Sequence, residues 1–334
     1  MSLLGWARSV EPAARPRSRT PAQPLQPLVD GGTLQPMSVG VLRVVQLNMD
    51  SIFGPRWPER RVEVVRWLED LNPDLVCLQE VWEDHRRPNT AGWVAEHLSE
   101  TWYVAFEGFA LPDPEATGAH PSVRFGSAIL SRWPIDTVEL MAMPINPDEE
   151  DRPHVTMRVP FVPVGVPYEL LHARTGGIDV YSTHLHSGTG QTAQRVEQAL
   201  FIDDAIARTC DPSAEMPPVL CGDFNADPAS DVIRFLTGNA AVKERSTYFQ
   251  DAWGVVHGTG GVTWDPAGNP MTPNSYHPGR IDYIFVGDPA FREDGAGRVV
   301  NAELAFNEAR TGVFASDHYG LRADIAWPTR PSDT

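Results

Sequence analysis

Lysine is almost absent from this chain. Of 27 basic residues only Lys243 is a lysine, and the rest are arginines. A Schiff-base lysine therefore has one place to sit, and no GxxxxGK[ST] string offers a phosphate-cradling loop. Cysteine is also scarce. Cys77, Cys210 and Cys221 are an odd number in 334 residues, which is no disulfide framework. Cys77 and Cys221 lie inside apolar runs and read as buried thiols, which favours a reducing compartment and a cytoplasmic location. No run of about 18 apolar residues is present, so no transmembrane segment is expected. Positive charge is in deficit: 27 basic residues against 44 acidic ones give −17 at pH 7. Residues 41–334 alone hold 23 basic and 42 acidic residues, or −19. Nucleic-acid binding by a broad basic surface needs clustered Lys/Arg, and this region has only the pairs Arg60-Arg61 and Arg86-Arg87. An enzyme that reaches phosphate esters through bound cations is compatible with this balance, and a metal site would account for some of the acid.

What is present is a large apolar fraction, 42%, enough for a substantial core. Residues 1–40 hold six prolines and four arginines without a secretory apolar stretch, and read as a disordered tail. From Val41 the pattern changes. Residues 41–47 (VLRVVQL) form a β-rich run ending at Asn48-Met49-Asp50. Residues 60–71 repeat apolar side chains every three positions (Val62, Val65, Leu68, Leu71), as on one helix face, until Asn72-Pro73-Asp74 stops them. A second apolar run, 75–78, ends at Gln79-Glu80. Strands are expected again at 126–132, 178–183, 218–221, 281–286 and 321–325, with a helix over 191–208. No linker divides residues 41–328, and 329–334 form a short C-terminal tail. One domain with strands in both halves and helices outside, a layered α/β sandwich, is the natural reading. Residues 84–123 and 144–176, rich in Pro, Gly, Asp and His, are expected to be long loops.

Strand ends repeatedly deliver polar groups: Asn48 and Asp50, Glu80, His184, Asp223 and Asn225, Asp282, then Asp317 and His318. Each alone has a bland explanation, since Asp after a strand usually forms a turn and a histidine there is usually structural. Together they bring carboxylates, amides and imidazoles to the sheet edge where α/β proteins place their chemistry, without thiolate pairs or HExxH spacing. Oxygen-rich ligands of this kind suit Mg²⁺ or Mn²⁺. Beside them, His186 is read as solvent-facing, Arg280 as the partner of a carboxylate and His85-Arg86-Arg87 as a solvated loop. Trp102, Trp133, Trp253 and Trp264 are read as packing residues.

Seven blocks occur in an order that resembles the endonuclease/exonuclease/phosphatase superfamily, the deoxyribonuclease I-like fold. They are Gln46-Leu47-Asn48, Leu78-Gln79-Glu80-Val81, residues 126–132 (GSAILSR), Thr183-His184-Leu185, Gly222-Asp223-Phe224-Asn225, residues 280–285 (RIDYIF) and Ser316-Asp317-His318. The resemblance spans residues 41–328. It implies a four-layered α/β sandwich, two packed mixed β-sheets flanked by helices, and divalent-metal hydrolysis of phosphate esters. Substrates in that superfamily include nucleic acid, nucleotides and lipid head groups, so it speaks to the reaction more than to the substrate. By the same resemblance Glu80 is the main metal ligand with Asn48 beside it, while Asp50 takes either a metal or a turn role. Asp223 and Asn225 handle the water or leaving group and orient the phosphate. His318 is the catalytic histidine with Asp282 as its carboxylate, Asp317 reaches toward the metal or Asp223, and His184 donates to a phosphate oxygen. Which group is base and which acid stays open. The expected partner is the phosphate-ester substrate alone, on a monomer.

Overall fold

The computed structural model describes residues 40–84, 88–112, 122–145, 168–274, 277–289 and 292–328. The expected N-terminal tail, apart from Gly40, the C-terminal tail 329–334 and the His85-Arg86-Arg87 loop lie outside them.

Thirteen strands among these residues build two sheets. Strands β1 (Val41–Asn48), β2 (Leu75–Glu83), β3 (Tyr103–Phe106), β4 (Phe109–Pro112), β5 (Ser122–Ser131), β12 (Val299–Ala305) and β13 (Gly320–Ala326) form the first, in the order β12-β13-β1-β2-β5-β3, with β4 also on β5. Strands β6 (Ile135–Ala142), β7 (Glu169–Thr175), β8 (Ile178–His184), β9 (Val219–Asp223), β10 (Phe249–Asp251) and β11 (Asp282–Gly287) form the second, in the order β10-β11-β9-β8-β7-β6. Each sheet is mixed: β1 and β2 run parallel, as do β8 and β9, while the other pairs are antiparallel.

Alternation along each strand divides the apolar residues among three cores. Leu42 and Val44 of β1, Leu75 and Cys77 of β2, Val180 of β8, Cys221 of β9 and Leu321 of β13 fill the space between the sheets. Val45, Leu47, Val76 and Leu78 point the other way and meet Val64, Trp67 and Leu68 of α1 (Trp57–Leu71). On the far side, Tyr181, Leu220 and Phe285 meet Ala199, Ile202 and Ile206 of α3 (Thr192–Thr209) and Phe235 of α4 (Asp231–Leu236). Helix, sheet, sheet, helix: the expected four layers are present. Each fully buried Leu or Ile contributes about 1.5–3 kcal/mol, so all three interfaces stabilise the fold.

The helix α1 corrects one expectation. Its buried stripe is Arg60, Glu63, Val64, Trp67, Leu68 and Leu71, whereas Val62 is exposed. A spacing of three drifts around a helix of 3.6 residues per turn, and the i, i+3, i+4, i+7 pattern holds the face. Pro58 opens the helix and Asn72, in the left-handed region at φ 43°, closes it with its N–H on Leu68 O.

The two segments read as long loops contain regular structure. The first holds α2 (Thr90–Glu96), β3, β4 and the start of β5, and the second holds β7. The helix α2 has seven residues, too few to display periodicity, and depends on the Asn89 side chain accepting from Gly92 N at 2.8 Å. Strand β7 begins at Glu169, which is buried although its residue type favours solvent.

Candidate active site

Parallel pairing sends the C-termini of β1, β2, β8 and β9 to one edge of the sandwich, and antiparallel β11 and β13 begin there. Along these strands the inward-facing positions change from apolar to polar. In β1, Leu42 and Val44 are followed on the same face by Gln46 and Asn48; in β9, Val219 and Cys221 by Asp223. The sandwich core thus ends in a polar layer.

Asn48, fully buried, joins the sheets: its Nδ2 donates to Glu80 Oε1 (3.2 Å) and to Asp223 Oδ2 (3.1 Å), and its Oδ1 accepts from Asp50 N (3.1 Å). Asp223 and Asp282 are cross-strand partners in register, two buried carboxylates set side by side. Like charges opposed in this way destabilise a sheet unless something positive stands between them. His318 does: its Nδ1 is 2.9 Å from Asp282 Oδ2 and its Nε2 is 3.8 Å from Asp223 Oδ2. Asp282 is fixed from its other side by Gln46, whose Nε2 donates to Asp282 Oδ1 (3.0 Å) and to Gln79 Oε1 (2.8 Å). Gln79 donates on to Ser182 Oγ at 3.0 Å.

His184, at the end of β8, places Nε2 3.4 Å from Asp223 Oδ2. Asn225 donates its backbone N–H to Asp223 Oδ1 (2.8 Å) and its side chain to Leu185 O (2.9 Å). Asp317 lies 4.0 Å from His318 Nε2, and Ser316, which bonds to Asn48 O at 2.6 Å, also donates to Asp317 Oδ1. Asp50 is turned toward Arg60, with Oδ2 3.6 Å from Nη2, and its carbonyl accepts from Gly54 N (3.4 Å), the geometry of a turn residue. Three members of the set hold left-handed backbone: Asp50 (φ 43°), Glu80 (φ 55°) and Asn225 (φ 48°). At Glu80 this makes a β-bulge, where β2 slips its register against β5.

Electrostatics separate the two histidines. Burial lowers the pKa of His184, despite Glu80 nearby, and leaves a neutral imidazole. Burial would lower that of His318 as well, but Asp282, Asp317 and Asp223 outweigh it and raise it well above the ordinary value. Burial followed by Asp282 pushes Asp223 up to about 7, and burial followed by Asp317 and Glu80 pushes Asp50 up to about 9. Glu80 and Asp317 are raised chiefly by burial.

All nine sequence-derived residues therefore gather at one edge, with Asp50 on its margin. Gln46, Gln79 and Arg60 were not singled out for the site, although Gln46 and Gln79 stand in the blocks that were. Arg60 and Arg61 form no basic surface: Arg60 is fully buried, and the guanidinium of Arg61 lies 3.9 Å over the ring of Trp93. Arg280 makes the expected carboxylate pair, two-pronged with Asp251 at 2.8 and 2.7 Å. His186 is half-buried against Tyr168, at 4.8 Å between rings, instead of facing solvent. Trp133 and Trp253 pack on the inter-sheet core and Trp102 on the outer one, whereas Trp264 meets His318 edge-on at 4.8 Å.

The profile described as the endonuclease/exonuclease/phosphatase family matches residues 45–318. The chain belongs to this family. Its members are hydrolases of phosphoester bonds, and the blocks that carry the site fall within or at the limits of the match. A comparison with curated protein sequences found no match. Among solved structures, TDP2 of D. rerio in complex with single-strand DNA product is similar, with a TM-score of 0.60 and 17% identity over 86% of this chain and 99% of that one. An endonuclease/exonuclease/phosphatase from Beutenbergia cavernae gives 0.56 and 23% identity over 87% and 73%. The human Nocturnin catalytic domain with bound sulfate gives 0.54 and 17% over 86% and 93%. At these identities the likeness establishes the deoxyribonuclease I-like fold. No helix among the described residues is long and apolar enough to cross a membrane.

Proposed function

We propose that this family hydrolase cleaves a phosphodiester or phosphomonoester with a divalent cation, Mg²⁺ or Mn²⁺, held at Glu80. The observation that carries the reading is the opposed pair Asp223 and Asp282 with the His318 imidazole lodged between them. The donor set fits a hard cation. Glu80 and Asp223 share the Asn48 amide, Glu80 and Asp317 repel one another, and all three carboxyl groups are pushed toward protonation, with the Arg60 guanidinium acting on Glu80 and Asp317. Asp223, Asp282 and His318 also bring ligand atoms within 4.8 Å of one another, but both Asp282 oxygens are already committed, to Gln46 and to His318. We therefore assign the ion to Glu80, steadied by Asn48, and give Asp50 the turn role. Once bound, the cation supplies charge stabilisation to the phosphate oxygens.

The chain's own groups do the rest. Asp282 orients His318 through Nδ1, leaving Nε2–H to donate to a phosphate oxygen as charge builds there. His184 donates to a second oxygen. To Asp223, whose carboxylate accepts from Asn225 N–H, we assign the proton of an attacking water. The substrate we favour is one held without a basic surface, since Arg60 and Arg61 are both engaged internally. A nucleotide, a short nucleic-acid end or a lipid head group meets that condition. The unbridged cysteines support a reducing, cytoplasmic setting.

Release of p-nitrophenol from bis(p-nitrophenyl) phosphate, measured with Mg²⁺, Mn²⁺ or EDTA, tests the reaction, and a panel of DNA, RNA, nucleotides, phosphoinositides and sphingomyelin tests the substrate. Metal-dependent turnover of at least one ester is expected. No turnover of any of them with either metal would refute the proposal.

A further inference from the structure

Among the described residues Arg60 is the largest side chain with no solvent exposure, and none of the sequence blocks contains it. It projects from the first turn of α1 into the gap between two loops. All five of its N–H groups end on backbone carbonyls. Nε donates to Pro55 O (2.8 Å), and Nη2 to Asp50 O (2.7 Å) and Ser51 O (2.7 Å). Nη1 donates to Met49 O (3.0 Å) and to Ala315 O (3.1 Å). Four of these acceptors belong to the segment that follows Asn48, and the fifth immediately precedes Ser316-Asp317-His318. Arg60 itself lies 255 positions before Ala315 in the chain.

A guanidinium is the one side chain with five donors in a fixed plane, and its charge persists in a buried site. A buried cation without paired partners is costly, so its presence among fully satisfied carbonyls is a specific arrangement. Its nearest carboxylate is Asp50, at 3.6 Å, and its charge also acts on Asp317 and Glu80. We propose that Arg60 is a positioning residue: it staples the loop that follows Asn48 to the loop carrying Asp317 and His318, and so sets the distance between the Glu80 side and the His318 side of the site. It touches neither substrate nor the reacting atoms.

Lysine keeps the charge but offers three donors on one nitrogen, too few for the five carbonyls that Arg60 satisfies across both loops. The test uses the full chain with Arg60→Lys and Arg60→Met. One readout needs no turnover: the low-field proton resonance of His318 Nδ1–H, recognised in wild type by its loss in His318→Gln. Arg60→Lys is expected to keep the thermal transition within a few degrees of wild type while this resonance broadens or disappears. The kinetic readout rests on the proposed phosphoesterase activity: kcat is expected to fall roughly a hundredfold with KM little changed, because a misplacement of about 1 Å costs that much. A folded variant that retains the resonance overturns the proposal. So does failure of both variants to fold, which would make Arg60 a determinant of the fold and not of the site. Wild type with the resonance but without turnover would sink the phosphoesterase reading and leave this one to the spectroscopic result.

Discussion

Glu169→Gln replaces a carboxyl group that the fold has made expensive to ionise. Glu169 opens β7, is buried between the sheets and accepts from Ser127 N of β5, so it links the second sheet to the first. Among the described residues no positive charge acts on it, and Ser127 is its hydrogen-bond partner. Burial, only partly offset by Ser127, pushes its pKa from 4.5 up to about 8. The sign follows from the direction. A carboxyl raised in the folded state leaves stability intact below its unfolded pKa, and that stability is lost as pH climbs through the folded value. Between 4.5 and about 8 the loss runs at about 1.4 kcal/mol per pH unit, reaching roughly 5 kcal/mol at the top. Glutamine keeps the shape and cannot ionise. Urea unfolding of both proteins across that range, in EDTA, should therefore give curves that nearly meet at the acid end and diverge toward alkaline pH, the variant being the more stable. The reasoning fails if the two curves run parallel, since Glu169 would then carry its ordinary pKa and the gap around it would be wetter than its burial indicates.

Three further outcomes concern the site. Mg²⁺ or Mn²⁺ at about a hundredfold over its dissociation constant should stabilise the native state by about 2.7 kcal/mol, seen as a rise in Tm against EDTA. That rise should vanish in Glu80→Gln, together with metal-dependent turnover; a Glu80→Gln protein that still shows both would move the ion elsewhere. Asp282→Asn should remain folded and lose roughly 10³–10⁴ in kcat, because His318 loses the acceptor that fixes its Nδ1–H. A loss under tenfold in steady-state assays would leave the pair without a catalytic role.

The long elements were legible because their patterns are local. Strands β1, β2, β8 and β9 show apolar residues that stop at a polar group, β13 starts just after one, and α3 carries apolar side chains along eighteen residues. The site residues were legible for the same reason, since the inward face of a strand that ends the core must become polar. What escaped was whatever depends on partners distant in sequence. Strands β3 and β4 have four residues each and exist by pairing with β5, whose first two residues in turn pair with β4 alone. Glu169 reads as a loop residue until Ser127 is seen opposite it. Arg60 next to Arg61 reads as surface charge, because nothing nearby reveals that Ala315 O will be among its acceptors. The bulge at Glu80 leaves no mark in the letters at all.

That bulge bears on how this protein would respond to selection for heat resistance. Asparagine and aspartate tolerate left-handed backbone through short local hydrogen bonds, so Asp50 and Asn225 sit there at modest cost. Glutamate has no such relief, and its conformation at φ 55° stores about 1–2 kcal/mol. Glycine at position 80 would release that strain and remove a half-buried carboxylate at once. A screen that scored only survival at high temperature in EDTA would then enrich Glu80→Gly, and the sturdier proteins it returned would have lost the group proposed to hold the cation.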